Sequence, residues 1–216
     1  MENFEGLLED LKSKDSKVRA DAARDLGKVK DRRAVEPLVE VAQDFDGDVR
    51  RFAIWALGEI KDREILVTVI TALSDDDWRV QREAAEALGK MGDVQGVGPL
   101  LQVLETSNDA LHWHASWALG EIGDGRAVEP LINLLRDEDA LVRQYASLAL
   151  GRLKSEKSIE SLVSLLGDGD FSVRCSAANA LVAISPSREA LKWYEAGQDE
   201  PHNRYIEWVI DRVESD

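Results

Sequence analysis

Apolar residues recur along the chain at helical spacing, and the whole pattern then repeats every 31 residues. In one copy, Val49, Ala53, Leu57 and Ile60 lie four, four and three residues apart, which places them on one stripe of an α-helix. A Leu-Gly pair marks the repeat at Leu26-Gly27, Leu57-Gly58, Leu88-Gly89, Leu119-Gly120 and Leu150-Gly151, with Leu181-Val182 in the next place. A fixed period of this size predicts a solenoid whose stacked units contact their neighbours.

Polar residues at fixed places predict where the helices begin. Counted from zero, the first position of each repeat holds a residue that can cap a helix: Asp15, Asp46, Asp77, Asn108, Asp139 and Asp170. We call the helix that follows the inner helix and the second helix of each repeat, which begins after Asp31, Asp62, Asp93 or Asp124, the outer helix. The apolar stripe at positions 3, 7, 11 and 14 is predicted to be core. The alanine at position 7 and the glycine at position 12 predict close packing between inner helices.

The organisation predicted for residues 1–216 is one continuous repeat body. Residues 1–13 supply a helix that covers the first repeat, and residues 14–186 hold six helix-pair repeats. Residues 187–216 break the period and form a C-terminal helical cap.

The run from Asp77 to Leu100, with similar runs over residues 46–62 and 108–131, resembles the HEAT-like repeats of the phycobilin-lyase type. The resemblance implies an all-α fold, an α-solenoid of six 31-residue helix pairs with N- and C-terminal helical caps. It also implies a structural arginine at position 4 that pairs with acidic groups of the adjacent repeat; Arg19, Arg50, Arg143 and Arg174 fill this place, and Gln81 and His112 interrupt the series. Function stays open, because this repeat serves lyases, scaffolds, a di-iron hydroxylase and designed binders.

Charge and composition narrow the class of partner. The chain carries 42 acidic and 27 basic residues, a net charge of −15, which repels nucleic acid and anionic membranes. No apolar run approaches the roughly 20 residues that cross a bilayer. The acidic N-terminus lacks the basic region of a signal peptide, and one cysteine, Cys175, fits a reducing compartment. We expect a cytoplasmic protein that binds neither nucleic acid nor membrane.

Positions 1, 2, 5, 6, 9 and 13 of the inner helices are not needed for stacking, and by resemblance the side that carries positions 2, 5, 6, 9 and 13 lines the concave surface. They hold seven of the chain's 13 aromatic residues although they make up one sixth of its length. Exposed rings at this density predict a groove that binds another protein or a peptide segment. The predicted groove residues are Arg51, Phe52, Trp55, Trp78, Arg79, Arg82, Trp113, His114, Trp117 and Tyr145. The three arginines would pair with carboxylates of the partner.

No catalytic or metal constellation is predicted, and no cofactor. His112 and His114 are two apart on a helix and point in different directions, so they do not chelate one ion. The resemblance would place the paired His-Glu steps of the di-iron hydroxylases at Arg51-Phe52, Arg82-Glu83, Trp113-His114 and Gln144-Tyr145, where none is found.

Two hypotheses follow for function. The first is a non-enzymatic scaffold or adaptor that holds a protein segment in the aromatic groove, as a monomer or weak homodimer. The alternative is a phycobilin-lyase-like subunit, or a subunit associated with another lyase or an oxidoreductase, that binds a tetrapyrrole-type ligand there. A third possibility is that the aromatic side chains pack against each other or against a second copy.

Overall fold

The structure is a computed structural model that describes residues 4–106 and 109–184. Within those ranges the chain is helical and has no strand, which confirms the all-α repeat fold. The inner helices are α2 (Ser16–Val29), α4 (Gly47–Ile60), α6 (Trp78–Met91), α8 (Asp109–Ile122), α10 (Ala140–Arg152) and α12 (Phe171–Ile184). The outer helices are α3 (Val35–Val41), α5 (Leu66–Ala72), α7 (Val97–Leu104), α9 (Val128–Leu134) and α11 (Ile159–Ser164). The predicted N-terminal helix is α1 (Phe4–Asp10), whereas the predicted C-terminal cap lies outside the described residues.

The chain divides into two compact units, Met1–Thr106 and Ser107–Asp216. Unit 1 contains α1 to α7, and unit 2 contains α8 to α12. No helix in the described ranges is long and apolar enough to cross a membrane.

The predicted caps begin the inner helices. Asp46 accepts a hydrogen bond from the backbone N–H of Asp48 at 2.9 Å, and Asp139 accepts one from Leu141 at 2.8 Å. Asp15, Asp77 and Asp170 cap in the same way, and Asn108 lies outside the described residues. The second set of aspartates caps the three-residue 3-10 turns that precede α3, α5, α7 and α9, as Asp31 does for Arg32–Ala34, whereas the turn before α11 follows Ser155, which makes no side-chain cap bond. Each outer helix therefore begins with a tighter turn than a simple α-helix would have.

Successive inner helices pack together at the Leu-Gly glycine. A Cβ atom at Gly58 would lie 2.7 Å from the Cβ of Ala87 on the next inner helix, closer than real Cβ atoms approach. The glycines that meet the next helix in this way do so at the alanine of position 10: Gly27 with Ala56, Gly58 with Ala87, Gly120 with Ala149, and Gly151 with Ala180. The position-7 alanines are all buried, as predicted. The glycine at position 12 and the alanine at position 10 together let successive inner helices of each unit pack closely.

The predicted core is wrong at position 14 throughout, because the residues there from Ile60 to Ile184 are only half-buried, and it is also wrong at both ends of the stripe in the first repeat. Val18 is 36% exposed and Val29 is 51% exposed, although both lie on the apolar stripe. The described chain before α2 supplies only the seven-residue α1, which buries Leu7 and Leu11 but does not reach both ends of a 14-residue helix. In the later repeats the position-3 residues, from Val49 to Val173, are buried.

The position-4 arginines join successive loops. Arg50 donates through Nε and Nη2 to the two carboxylate oxygens of Asp75, both at 2.8 Å, and through Nη1 to the carbonyl of Asp44. Arg19 binds Asp44 and Arg143 binds Asp168 in the same bidentate form. Each of these arginines thus ties the loop before its own inner helix to the loop before the next. The cross-repeat pairing implied by the family resemblance is confirmed for these three.

The remaining members of the series differ. Arg174 donates to the carbonyls of Asp168 and Gly169, in the loop before its own helix. Gln81 donates to the carbonyl of Asp75 at 2.6 Å, so it keeps the contact to its own loop. His112 is buried.

The arginine pairs also stabilise the ionised carboxylates. The guanidinium of Arg19 holds the pKa of Asp44 below its ordinary value, mainly through the side-chain hydrogen bonds. The guanidinium of Arg143 lowers the pKa of Asp168 in the same way. Both carboxylates also accept the backbone N–H two residues further on, which favours the charged form. A group whose pKa is lowered by folding stabilises the folded state once it is ionised.

Replacing Arg143 with alanine is expected to lower the free energy of unfolding by about 2 kcal/mol, because it leaves the Asp168 carboxylate and the Asp137 carbonyl without their charged donor. Chemical denaturation of the intact chain measures the change. Arg126→Ala is the matched control in the same unit, because Arg126 pairs with Asp124 of its own turn and is largely exposed. Equal losses for the two variants would contradict a role for the cross-repeat pair.

The cost of Arg143→Ala is also expected to depend on pH. Because the pKa of Asp168 is lowered in the folded state, its stabilisation is complete above the unfolded value of about 4 and is lost as the pH falls through the lower folded value. The difference between wild type and variant should therefore shrink from pH 6 to pH 2.5. A difference of the same size at both pH values would show that charge pairing is not what the arginine contributes.

Candidate partner-binding face

The side chains at positions 5, 6, 9 and 13 of the inner helices form what we call the free face. In unit 1 a cavity of about 360 Å³ opens on this face. It is lined by Arg24 and Lys28 from α2, Phe52 and Trp55 from α4, and Glu83 and Glu86 from α6. Three successive inner helices thus give it a basic side, an aromatic middle and an acidic side. Four of these lining residues, the charged ones, were not among the predicted groove residues, although their repeat positions marked them as free.

Phe52 and Trp55 are held in place by the scaffold. The guanidinium groups of Arg51 and Arg24 both lie over the Phe52 ring, 4.3 Å and 5.7 Å from its centroid. Trp55 reaches back towards the preceding inner helix, because a Cβ atom at Gly27 would lie 2.5 Å from its Cζ3. Both rings are half-buried. The missing side chain of the Leu-Gly glycine therefore also makes room for an indole ring.

A second cavity of about 380 Å³ lies beside the first on the same face. Its lining includes Ser16 and Asp21 from α2, Asp48 and Arg51 from α4, and again Phe52. Phe52 therefore lines both cavities and is the residue that the two have in common. This makes it the central side chain of the free face in unit 1.

The three arginines predicted to bind a partner's carboxylates already have carboxylates of this chain beside them. Arg51 lies 3.2 Å from a carboxylate oxygen of Asp48. Arg79 pairs with Asp77 at 2.6 Å and with Asp48 at 3.0 Å, and Arg82 pairs with Glu83. These pairs raise the pKa of Arg79, chiefly through its side-chain hydrogen bonds to Asp77. A ligand carboxylate would have to displace an internal partner.

The edge of the free face holds two further features. Trp78 stands at the first position of α6, is 51% exposed, and has the Arg82 guanidinium 5.9 Å from its ring. At the opposite end of the inner helices, Glu59 accepts hydrogen bonds from Lys30 at 2.6 Å and Lys90 at 2.7 Å. Those two bonds lower the pKa of Glu59. Glu59 is therefore paired with the repeat before it and the repeat after it, which the charge count from the sequence did not reveal.

In unit 2 the predicted residues form an aromatic cluster across α8 and α10. The rings of Trp113 and Tyr145 have centroids 4.8 Å apart and are tilted by 33°. The ring of His114 stacks on Trp113 at 3.4 Å and is only 4% exposed. His114 therefore supports Trp113 and offers almost no surface of its own. Trp117, one turn further along α8, is half-buried.

Other chemistry is sparse in the described ranges. They contain no group of three or more His, Cys, Asp or Glu side chains arranged to hold a metal ion. Cys175, at position 5 of α12, is half-buried, and burial raises the pKa of its thiol. A thiol with a raised pKa is less reactive at neutral pH than an ordinary cysteine thiol, because a smaller fraction of it is ionised.

The fold and its free face define an α-helical repeat protein, and comparison with known families identifies the family of repeat proteins to which it belongs. A profile of HEAT repeats matches residues 4–70, 35–110, 66–137, 97–182 and 128–210. The chain therefore belongs to the HEAT-repeat family. A search of curated proteins found no significant match.

Several solved structures share the fold. The complex of CpcE and CpcF of phycocyanin lyase from Nostoc sp. PCC7120 matches with a TM-score of 0.69 and 23% identity, over 99% of this chain and 95% of that one. An engineered protein matches at a TM-score of 0.64 and 25% identity, over 87% of this chain and all of that one. A designed armadillo repeat protein in complex with the peptide (KR)4 matches at a TM-score of 0.62 and 20% identity, over 85% of this chain and all of that one.

Proposed function

We propose that this HEAT-repeat chain is a non-enzymatic binding module that holds a segment of another protein against its free face. The observation that carries the proposal is the pair of adjacent cavities in unit 1 that share Phe52. Partly exposed aromatic side chains between charged walls are the usual composition of a binding hot spot, because rings bury much area at a small cost in side-chain entropy.

The geometry favours a chain segment over a compact ligand. The two cavities lie side by side across α2, α4 and α6, so an extended segment could place one side chain in each. Their walls carry both signs of charge, which suits polar groups that alternate along a peptide. The aromatic cluster of Trp113 and Tyr145 offers unit 2 a comparable contact surface. Among proteins of this fold, the designed armadillo repeat protein was solved with a bound peptide.

Fewer observations support the tetrapyrrole alternative. The likeness to the CpcE and CpcF complex is one of fold. The pigment's carboxylates would need Arg51, Arg79 or Arg82, and those side chains are paired with Asp48, Asp77 and Glu83. Titration with a linear tetrapyrrole tests it directly: a shift in visible absorbance together with quenching of tryptophan fluorescence would favour this alternative over the protein segment.

Replacing Phe52 with alanine is expected to weaken binding of the partner by about 30-fold, the loss typical of a central aromatic hot spot. The partner is first isolated on the immobilised wild-type chain from native lysate, identified and purified, and then titrated calorimetrically against each variant. Thermal unfolding is measured in parallel to show that the variant is folded.

Phe4→Ala is the matched control for this experiment. Phe4 is also half-buried and also lies under an arginine, Arg33, at 4.3 Å, but it belongs to α1 and lines neither cavity. We expect it to bind the partner like wild type. If both variants bound like wild type, the free face of unit 1 would not be the docking surface.

A further inference from the structure

A third cavity lies on the outer helices of unit 1, away from the free face. It has a volume of about 500 Å³ and is lined mainly by Ala42, Gln43, Val67, Thr68, Thr71 and Ala72. Ala42 and Gln43 follow the end of α3, and the other four belong to α5. The proposed function does not use this surface. Its lining residues differ from the residues at the equivalent positions of the other repeats.

The cavity exists where two positions that hold large apolar residues in other repeats hold alanine. The equivalents of Ala42, at steps of 31 residues, are all leucine: Leu11, Leu73, Leu104, Leu135 and Leu166. The equivalents of Ala72 at the other outer helices are Val41, Val103, Leu134 and Leu165, and its equivalent in α1 is Asp10. In unit 2, Leu135 and Leu165 are only 2% and 8% exposed, so the larger side chains are packed there. The scaffold therefore tolerates full-sized residues at both places, and this repeat does without them.

The surroundings of the cavity depart from the repeat in the opposite sense, with large apolar side chains where the equivalent positions hold polar residues or glycine. Val67 is 74% exposed, and its equivalents are Glu5, Glu36, Gly98, Glu129 and Glu160. Phe45 is fully exposed, and its equivalents are Lys14, Asp76, Ser107, Glu138 and Gly169. The loop of Phe45 adjoins the cavity, because Arg50, which lines the cavity, donates to the Phe45 carbonyl at 3.2 Å. Exposed apolar side chains beside an open apolar cavity are typical of a protein interface.

Two observations identify the kind of occupant. A small molecule that filled the cavity would leave the fully exposed Phe45 uncovered, whereas a protein segment can cover both. The exposed charge here is acidic: the Asp76 side chain is 91% exposed and shares the Arg50 guanidinium with Asp75. With a net charge of −15, a second copy of this chain would be repelled, while a basic segment would be attracted.

We propose that the cavity between α3 and α5 docks an apolar side chain from a basic segment of a partner protein, with Phe45 and Val67 covered by the apolar face of that segment. A lysine or arginine of the segment shares the exposed Asp76 carboxylate with Arg50. The site would be separate from the free face, so one HEAT-repeat chain would bind two segments at once.

The test fills the cavity with the residues that other repeats use. The double variant Ala42→Leu, Ala72→Val should unfold about 2–4 °C higher than wild type, because it restores core packing. It should bind a labelled 14-residue amphipathic peptide of leucine and lysine at least about tenfold more weakly, by fluorescence anisotropy. Val67→Ser should weaken binding as well, whereas Val94→Ser, at a 54% exposed valine away from the cavity, should not.

Three results would overturn the proposal. The first is unchanged peptide binding by the cavity-filled variant. The second is equal binding of a peptide whose leucines are replaced by serine, since that would be attraction between charges alone. The third is a wild-type dimer in sedimentation that the double variant dissociates, because a second copy would then be the occupant. Phe52→Ala should leave peptide binding unchanged. If Phe52→Ala alone abolished it, the peptide would dock on the free face, and this proposal would fail while the proposed function stood.

Discussion

The close approach of successive inner helices is the constraint on which each unit depends. Glycine at position 12 meets alanine at position 10 of the next inner helix, where an added Cβ would lie 2.7–2.8 Å from an atom of that alanine. Helices that approach this closely have one side committed to stacking, so the opposite side is left without a structural task. The cavities lined by Phe52 and the exposed position of Trp78 follow from that division.

The arginine pairs fix what the helix contact leaves open, namely the position of one loop relative to the next. Because Arg19 and Arg50 both bind through the Asp44 loop, the carboxylate partner of one arginine and the carbonyl partner of the next belong to the same residue. Because the scaffold is this regular, a residue that differs from its equivalents in the other repeats can be recognised. Ala42 and Ala72 stand out because the same places at the other outer helices hold leucine or valine.

Much of the scaffold could be predicted from the sequence, because caps, stripes and small residues recur at a fixed period and act within one or two turns. Asp46 caps, Ala53 is buried and Arg50 pairs as expected. What could not be predicted depends on neighbours at the ends and on side-chain direction. Val18 is exposed because the seven-residue α1 does not cover it, and Arg79 is already paired because Asp48 of the previous repeat lies within reach. The cavity between α3 and α5 could not be predicted either, because a pattern of apolar residues does not show where space is left between side chains.

The sign of one stability change tests the central claim most directly. In an ordinary helix interior, Gly→Ala stabilises by about 1 kcal/mol. If stacking requires the glycine, Gly58→Ala must instead lower the free energy of unfolding, by about 1–3 kcal/mol, because its Cβ would overlap Ala87. Gly98→Ala in α7, where an added Cβ meets nothing within 4 Å, is the control and should be stabilising or neutral. Stabilisation by Gly58→Ala equal to that of the control would contradict the account.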